Sequence, residues 1–179
     1  MIKHKLLAAI AALSTAFSTP AQADMTELGN VLMVATPAYA LYKANEDYGL
    51  DGLQACGEAI GLTAIKTHTL KYVLDAPRPN GNGRGMPSGH TSSAAVGFGC
   101  MLGQEGWSPT TFTLGAASLL TGYTRVEGNY HTWGQVAAGF ALGSVVGYYA
   151  TKNLKSGGRI GYTMDLSGNH LFHFTMPLN

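Results

Sequence analysis

An all-α fold, a bundle of about five core helices followed by a short C-terminal β-hairpin, is predicted for this chain by three features of its pattern. Apolar residues recur at helical spacing from Leu28 to Tyr42. Stretches without a charged side chain run over 85–104, 106–124 and 128–151, each long enough for a core helix. Past Lys155 the period shortens to two, the spacing of a strand.

Residues 1–23 read as an address. Lys3 and Lys5 precede an apolar run from Leu6 to Phe17, and Ala21-Gln22-Ala23 offers a small-residue cleavage site. That run is short for a membrane span. The pattern predicts a secretory signal, export to the periplasm, and a mature chain made of one helical domain over 24–155 and an appendage over 156–179.

In the first helix Leu28, Val31, Leu32, Ala35, Ala38 and Tyr42 form the apolar face, with Pro37 as a kink. Residues 45–52 read as a connection. A second helix, about 52–74, places Ala64, His68 and Lys71 on one face, with His68 a core or rim residue. A third over 91–102 and a turn over 104–109 lead to a fourth, 110–122, which delivers Arg125. The fifth runs from about His131, on its first turn, to Leu154. Its Gly139, Gly143 and Gly147 make a smooth stripe that suits either a tight soluble bundle or a membrane pair.

In the appendage Ile160, Tyr162, Met164 and Leu166 alternate, Ser167-Gly168-Asn169 turns, and Phe172, Phe174 and Met176 alternate again. The hairpin is expected to pack on the bundle as a lid over apolar surface, with dimerisation or membrane contact as the second choice. His170 and His173 have no ligand set with other residues, so no metal is expected there.

Charged residues make up 12% of the chain and the formal net charge is +1. The absence of clustered basic residues excludes a nucleic-acid partner. A mean hydropathy of +0.07 suits a soluble or peripheral protein better than a multi-spanning one. Cys56 and Cys100 are the only cysteines. With antiparallel helices they sit roughly 22 Å and 15 Å from the Lys71 and His90 level, which leaves a disulfide and two buried thiols both open.

The stretch 71–90, KYVLDAPRPNGNGRGMPSGH, reads as a phosphate-binding corner. Pro77 and Pro79 end the helix that carries Lys71, so Arg78 leaves on an extended segment. Ser88 is a natural N-cap. A helix starting there presents the amides of Gly89 and His90, at the positive end of its dipole, to an anion. Lys71 adds a point charge, Arg78 a bidentate fork, and His90 a group able to hand a proton to a leaving oxygen.

A third block, Thr124-Arg125-Val126-Glu127-Gly128-Asn129-Tyr130-His131-Thr132-Trp133-Gly134-Gln135, makes the pattern specific. Lys71 with Arg78-Pro79, then Pro87-Ser88-Gly89-His90, then Arg125 with His131, resembles the three-part signature of the type 2 phosphatidic acid phosphatase (PAP2) superfamily, which includes bacterial class A acid phosphatases and vanadium haloperoxidases. The resemblance implies a phosphatase in which His131 attacks phosphorus to form a phosphohistidine and His90 is the acid and base. Lys71, Arg78, Ser88, Gly89 and Arg125 would hold the phosphoryl oxygens. Three cations can neutralise the charge without magnesium, so neither metal nor cofactor is expected.

Two positions depart from that signature. Thr124 replaces a serine, and Gln135 replaces the aspartate that orients the nucleophilic histidine. The Gln135 amide oxygen can still orient the ring but supplies no charge, which predicts a reduced rate. Glu127 is a second source of that charge, although a solvated loop carboxylate is its simpler reading. The expected substrate is a lipid or isoprenoid phosphate, with peripheral membrane contact allowed; a broad-specificity soluble acid phosphatase is the runner-up. Vanadate in the same site with halide oxidation, and an inactive phosphate-binding relative, are the remaining readings. Apart from that second choice for the hairpin, no segment points to an oligomeric state.

Overall fold

The computed structural model describes residues 25–154 and the backbone of two strands, 159–164 and 170–175. The proposed signal at 1–23, the turn at 167–169 and the packing of the appendage lie outside the described residues. Among those described there are four helices: α1 (Met25–Leu74), α2 (Gly89–Glu105), α3 (Pro109–Glu127) and α4 (Trp133–Thr151). Strands β1 (Arg159–Met164) and β2 (His170–Thr175) pair antiparallel, with Tyr162 opposite Phe172.

Helix α1 spans 50 residues but reverses direction at Gly49, whose φ of 60° and ψ of −142° are not helical. A Cβ on Gly52 would lie 2.1 Å from the Ala44 carbonyl oxygen. Eight residues of straight helix would separate those positions by about 12 Å, so the chain has folded back on itself. The expected connection over 45–52 is therefore helical apart from one residue. A glycine can make the whole reversal because the left-handed region costs it no Cβ clash. Lys43, paired with Glu46 at 3.1 Å and Asp47 at 3.0 Å, holds the turn before it.

Pro37, expected as a kink, is buried inside the helix and is not its non-helical residue. Having no N–H, it leaves the Met33 carbonyl without its usual partner. The Ser93 hydroxyl donates to that carbonyl at 2.9 Å, and the Thr36 hydroxyl bonds both Leu32 O at 2.9 Å and Ala94 O at 3.1 Å. The proline thus becomes a seam between α1 and α2.

Helix α2 starts at an N-cap Ser88, as expected, whose Oγ accepts from the Thr91 amide. Helix α3 continues past Gly122 to Glu127, so Arg125 lies within its last turn. Helix α4 begins at Trp133, two residues later than expected, because Thr132 caps it in a reciprocal capping box with Gln135. His131 therefore precedes the helix.

Contact between α2 and α4 is backbone to backbone. A Cβ on Gly139, Gly143 or Gly147 would lie 2.5, 2.3 and 2.5 Å from the carbonyl oxygens of Ser88, Ser92 and Val96. The glycine stripe is thus consumed inside the bundle, and no described helix is long and apolar enough to cross a membrane. The core combines small side chains, Ala40, Ala44 and Ala59 among them, with Val96, Phe98, Met101 and Leu114. Cys56 and Cys100 are free, fully buried and hydrogen-bonded to each other, and burial pushes the Cys100 thiol well above its usual range.

Replacing Gly143 by Ala forces two backbones apart and should cost about 1–3 kcal/mol, lowering Tm by roughly 2–10 °C for a chain of this size. Ala→Ser at the exposed position 141 is the control. A thermal melt of Gly143→Ala that matches the control would refute the close approach.

Candidate active site

Four of the side chains singled out from the sequence, Lys71, Arg78, His90 and His131, line one cavity of about 390 Å³ together with Gly89. Each reaches it from a different element. Lys71 comes from the last turn of α1, Arg78 from the loop after it, His90 from the first turn of α2, and His131 from the link between α3 and α4.

That link is shaped by Asn129, at φ 59°, a left-handed conformation that asparagine tolerates better than most residues. It folds the chain so that the amides of Tyr130 and His131 both donate to Arg125 O, at 2.9 and 3.2 Å. The Ser88 amide donates to Gln135 O at 2.9 Å, joining the start of α2 to the first turn of α4. These bonds set His90 and His131 at the same end of the bundle.

Gln135 orients His131, as expected, though from a cap and not across a helix face. Its Oε1 lies 3.0 Å from His131 Nδ1 and also accepts from the Thr132 amide at 3.2 Å. Its Nε2 donates to Pro77 O at 2.8 Å. Because that donor is anchored, the oxygen must face the ring. Nδ1 then carries the proton and Nε2 keeps a lone pair. A carboxylate could not donate to Pro77, so glutamine here does something an acid cannot. Gly85 leaves room for it, since a Cβ there would lie 2.5 Å from Gln135 Nε2. Glu127 is exposed at the end of α3, in keeping with its simpler reading.

Two predicted phosphate ligands are occupied otherwise. Ser88 is fully buried, and its Oγ takes up Thr91 Oγ1 at 2.9 Å. Arg125, 3% exposed, does not line the cavity. Its Nε donates to Thr124 Oγ1 at 3.1 Å, its Nη1 to Asn30 Oδ1 at 3.2 Å, and its Nη2 to Thr26 O. Thr124 thus serves as a prop for Arg125. Asn30 is the residue that the sequence reading missed. Its Oδ1 also lies 2.9 Å from His90 Nε2, so one amide oxygen couples His90 to Arg125. Its only sequence signal is a lone amide among Leu28, Gly29 and Val31. His68 is exposed and lines the cavity.

Electrostatically the cavity gathers positive charge around two buried imidazoles. Lys71 is lowered to about 8 by burial and then by Arg78. His90 is lowered to about 4 by burial first, then by Arg125, His131, Lys71 and Arg78. His131 is also lowered to about 4, mainly by burial and further by Lys71 and Arg78, against the Gln135 and Gly85 hydrogen bonds that raise it. Arg78 Nε is buried without a hydrogen-bond partner. A buried charged donor is costly to leave unmet, and an oxyanion would satisfy it.

A family model described as the PAP2 superfamily matches residues 80–156. Lys71 and Arg78 stand just before the matched range, and Ser88, Gly89, His90, Arg125, His131 and Gln135 fall within it. No curated protein and no solved structure matches the chain.

If an anion completes this charge set, the two imidazoles should titrate near 4 in the free protein and clearly higher with saturating inorganic phosphate, because a bound negative charge favours the imidazolium. NMR titration of the ring protons measures both. Unchanged midpoints would mean that phosphate binds elsewhere.

Proposed function

With residues 80–156 a PAP2 superfamily domain, we propose that the protein is a phosphomonoesterase that works through a phosphohistidine on His131. The observation that carries this reading is the Pro77–Gln135–His131 chain of hydrogen bonds, 2.8 and 3.0 Å, which keeps the Nε2 lone pair available in a cavity shared with Lys71, Arg78 and His90.

The phosphoryl group enters as an anion. Lys71 and Arg78 meet its oxygens, the amides of Gly89 and His90 add donors, and Arg125 contributes its field through His90's side of the site. The bound charge raises His90, which lets it carry a proton at working pH. His131 Nε2 forms a bond to phosphorus while the P–O bond to the leaving group breaks, and His90 protonates the departing alkoxide. His131 becomes a phosphorylated cation, still donating from Nδ1 to Gln135 Oε1. In the second half, neutral His90 takes a proton from water, the new P–O bond forms, and the P–N bond breaks. Phosphate leaves and both histidines return to their starting forms. Positioning and charge neutralisation provide most of the catalysis in such a transfer.

Lipid or isoprenoid phosphates are the proposed substrates, supported by the apolar side chains of Met33, Ile60 and Val96 along the cavity. A soluble acid phosphatase of broad specificity is the second reading. The modest cavity favours it, since 390 Å³ is near the lower end for small-molecule sites. Export to the periplasm is proposed from the pattern of residues 1–23.

Phosphate release from p-nitrophenyl phosphate in the presence of a chelator should fall to background in His131→Ala, and a denaturing alkaline quench should trap an acid-labile phosphohistidine in the parent protein alone. A parent protein that binds phosphate and releases none would make the chain a binding relative. A decline of kcat/KM as pH drops through about 4 is expected, because protonation of His131 removes the nucleophile. Gln135→Glu puts a negative charge beside Nδ1 and should move that limb up by about 1 unit or more, at the cost of the Pro77 bond. A limb that stays in place would rule out His131 as its origin.

A further inference from the structure

The cavity does not end at the phosphate cradle. It continues between α1 and α2 past Thr67 and Ser92 to Met33, Ile60, Thr63 and Val96. Almost every hydroxyl along it is already spoken for. Thr67 Oγ1 and Ser92 Oγ lie 2.9 Å apart, Ser92 also donates to Gly89 O at 3.1 Å, and Ser93 donates to Met33 O at 2.9 Å.

Thr63 is different. It is 2% exposed, yet its Oγ1 is buried without a hydrogen-bond partner. A threonine inside a helix commonly satisfies its hydroxyl on the carbonyl four residues back. Thr36, Thr113, Ser118, Thr121 and Thr151 all do so in this molecule. Thr63 leaves that bond unmade and spends its hydroxyl on the cavity wall instead. An unmet buried hydroxyl is destabilising, and a polar atom of a bound molecule would complete it.

We propose that this inner part of the cavity holds the leaving group of the substrate and that Thr63 is a specificity residue hydrogen-bonding to it. The proposal rests on the phosphatase reading for the word substrate. It narrows the class to phosphate esters on one slender chain that is largely apolar and carries a hydrogen-bonding oxygen or nitrogen. Thr63 lies eight residues before Lys71, so that polar atom sits about 12 Å along the helix axis from the level of Lys71. A single chain with a hydroxyl, ether or amide matches its lining.

The test uses non-hydrolysable alkylphosphonates of increasing length, each paired with its ω-hydroxyalkyl counterpart, bound to the parent protein and measured by calorimetry. At one chain length the hydroxylated member should bind about tenfold tighter than its partner. Thr63→Val should abolish that difference, and Thr63→Ser should retain it. Thr63→Val should also melt higher than the parent in the absence of ligand, because it removes an unmet buried polar group; a residue of merely structural importance would melt lower. Equal binding of both members at every length, or a preference that survives in Thr63→Val, overturns the proposal. Hydrolysis of p-nitrophenyl phosphate by the parent protein is followed separately. Its absence sinks the phosphatase reading, while the phosphonate comparison still decides the role of Thr63.

Discussion

The geometry of the site depends on how closely α4 lies on α2. Three glycines on α4 face three carbonyls of α2, with no side chain between the two backbones. That contact holds the first turn of α2, with Ser88, Gly89 and His90, against the first turn of α4. The Ser88 amide can then reach Gln135 O, and Gln135 can reach Pro77 and His131 together. An extra methyl anywhere in the seam would move one histidine relative to the other. Packing of this kind transmits sub-ångström errors because helices are stiff and interiors have little free volume.

Positive charge is the second organising constraint. Lys71, Arg78 and Arg125 crowd two imidazoles, and among the described residues no carboxylate is near enough to offset them. Each histidine is held neutral by burial and by those cations. Since their folded pKa values lie below the ordinary one, the stability they contribute is present above about 6.5 and is lost as pH falls toward 4. A bound anion would oppose the effect of those cations on both rings. The site is thus arranged for an anion, at some expense to the fold, as functional sites commonly are. Asn30 tempers the arrangement by accepting from Arg125 and His90 through one oxygen.

The departure at Gln135 takes on a different sense in this setting. Compared with an aspartate it lacks a charge, yet its amide reads two partners of opposite type, a carbonyl and a ring nitrogen. The loop carrying Arg78 is tied to His131 through that amide. Loss of charge stabilisation and gain of orientation act on the same residue.

Local chemistry was readable without coordinates. Ser88 as a cap, the proline-ended helix before Arg78, the cationic corner and the pairing of His131 with Gln135 involve neighbours within a few residues, where backbone rules decide the outcome. From sequence the reversal at Gly49 reads as a wider connection, because helical periodicity continues on both sides of it. The start of α4 reads early, because a capping box and not an apolar pattern sets it. What only the tertiary structure decided are the contacts between distant segments: Asn30 with His90 across 60 residues and with Arg125 across 95, the second use of the Ser88 hydroxyl, and the unmet hydroxyl of Thr63. No rule of spacing reaches that far, since which faces meet is settled by how the glycine-lined helices pack. Residue types and their neighbours therefore determined the chemistry, while packing determined which side chains share the cavity and which stand behind it.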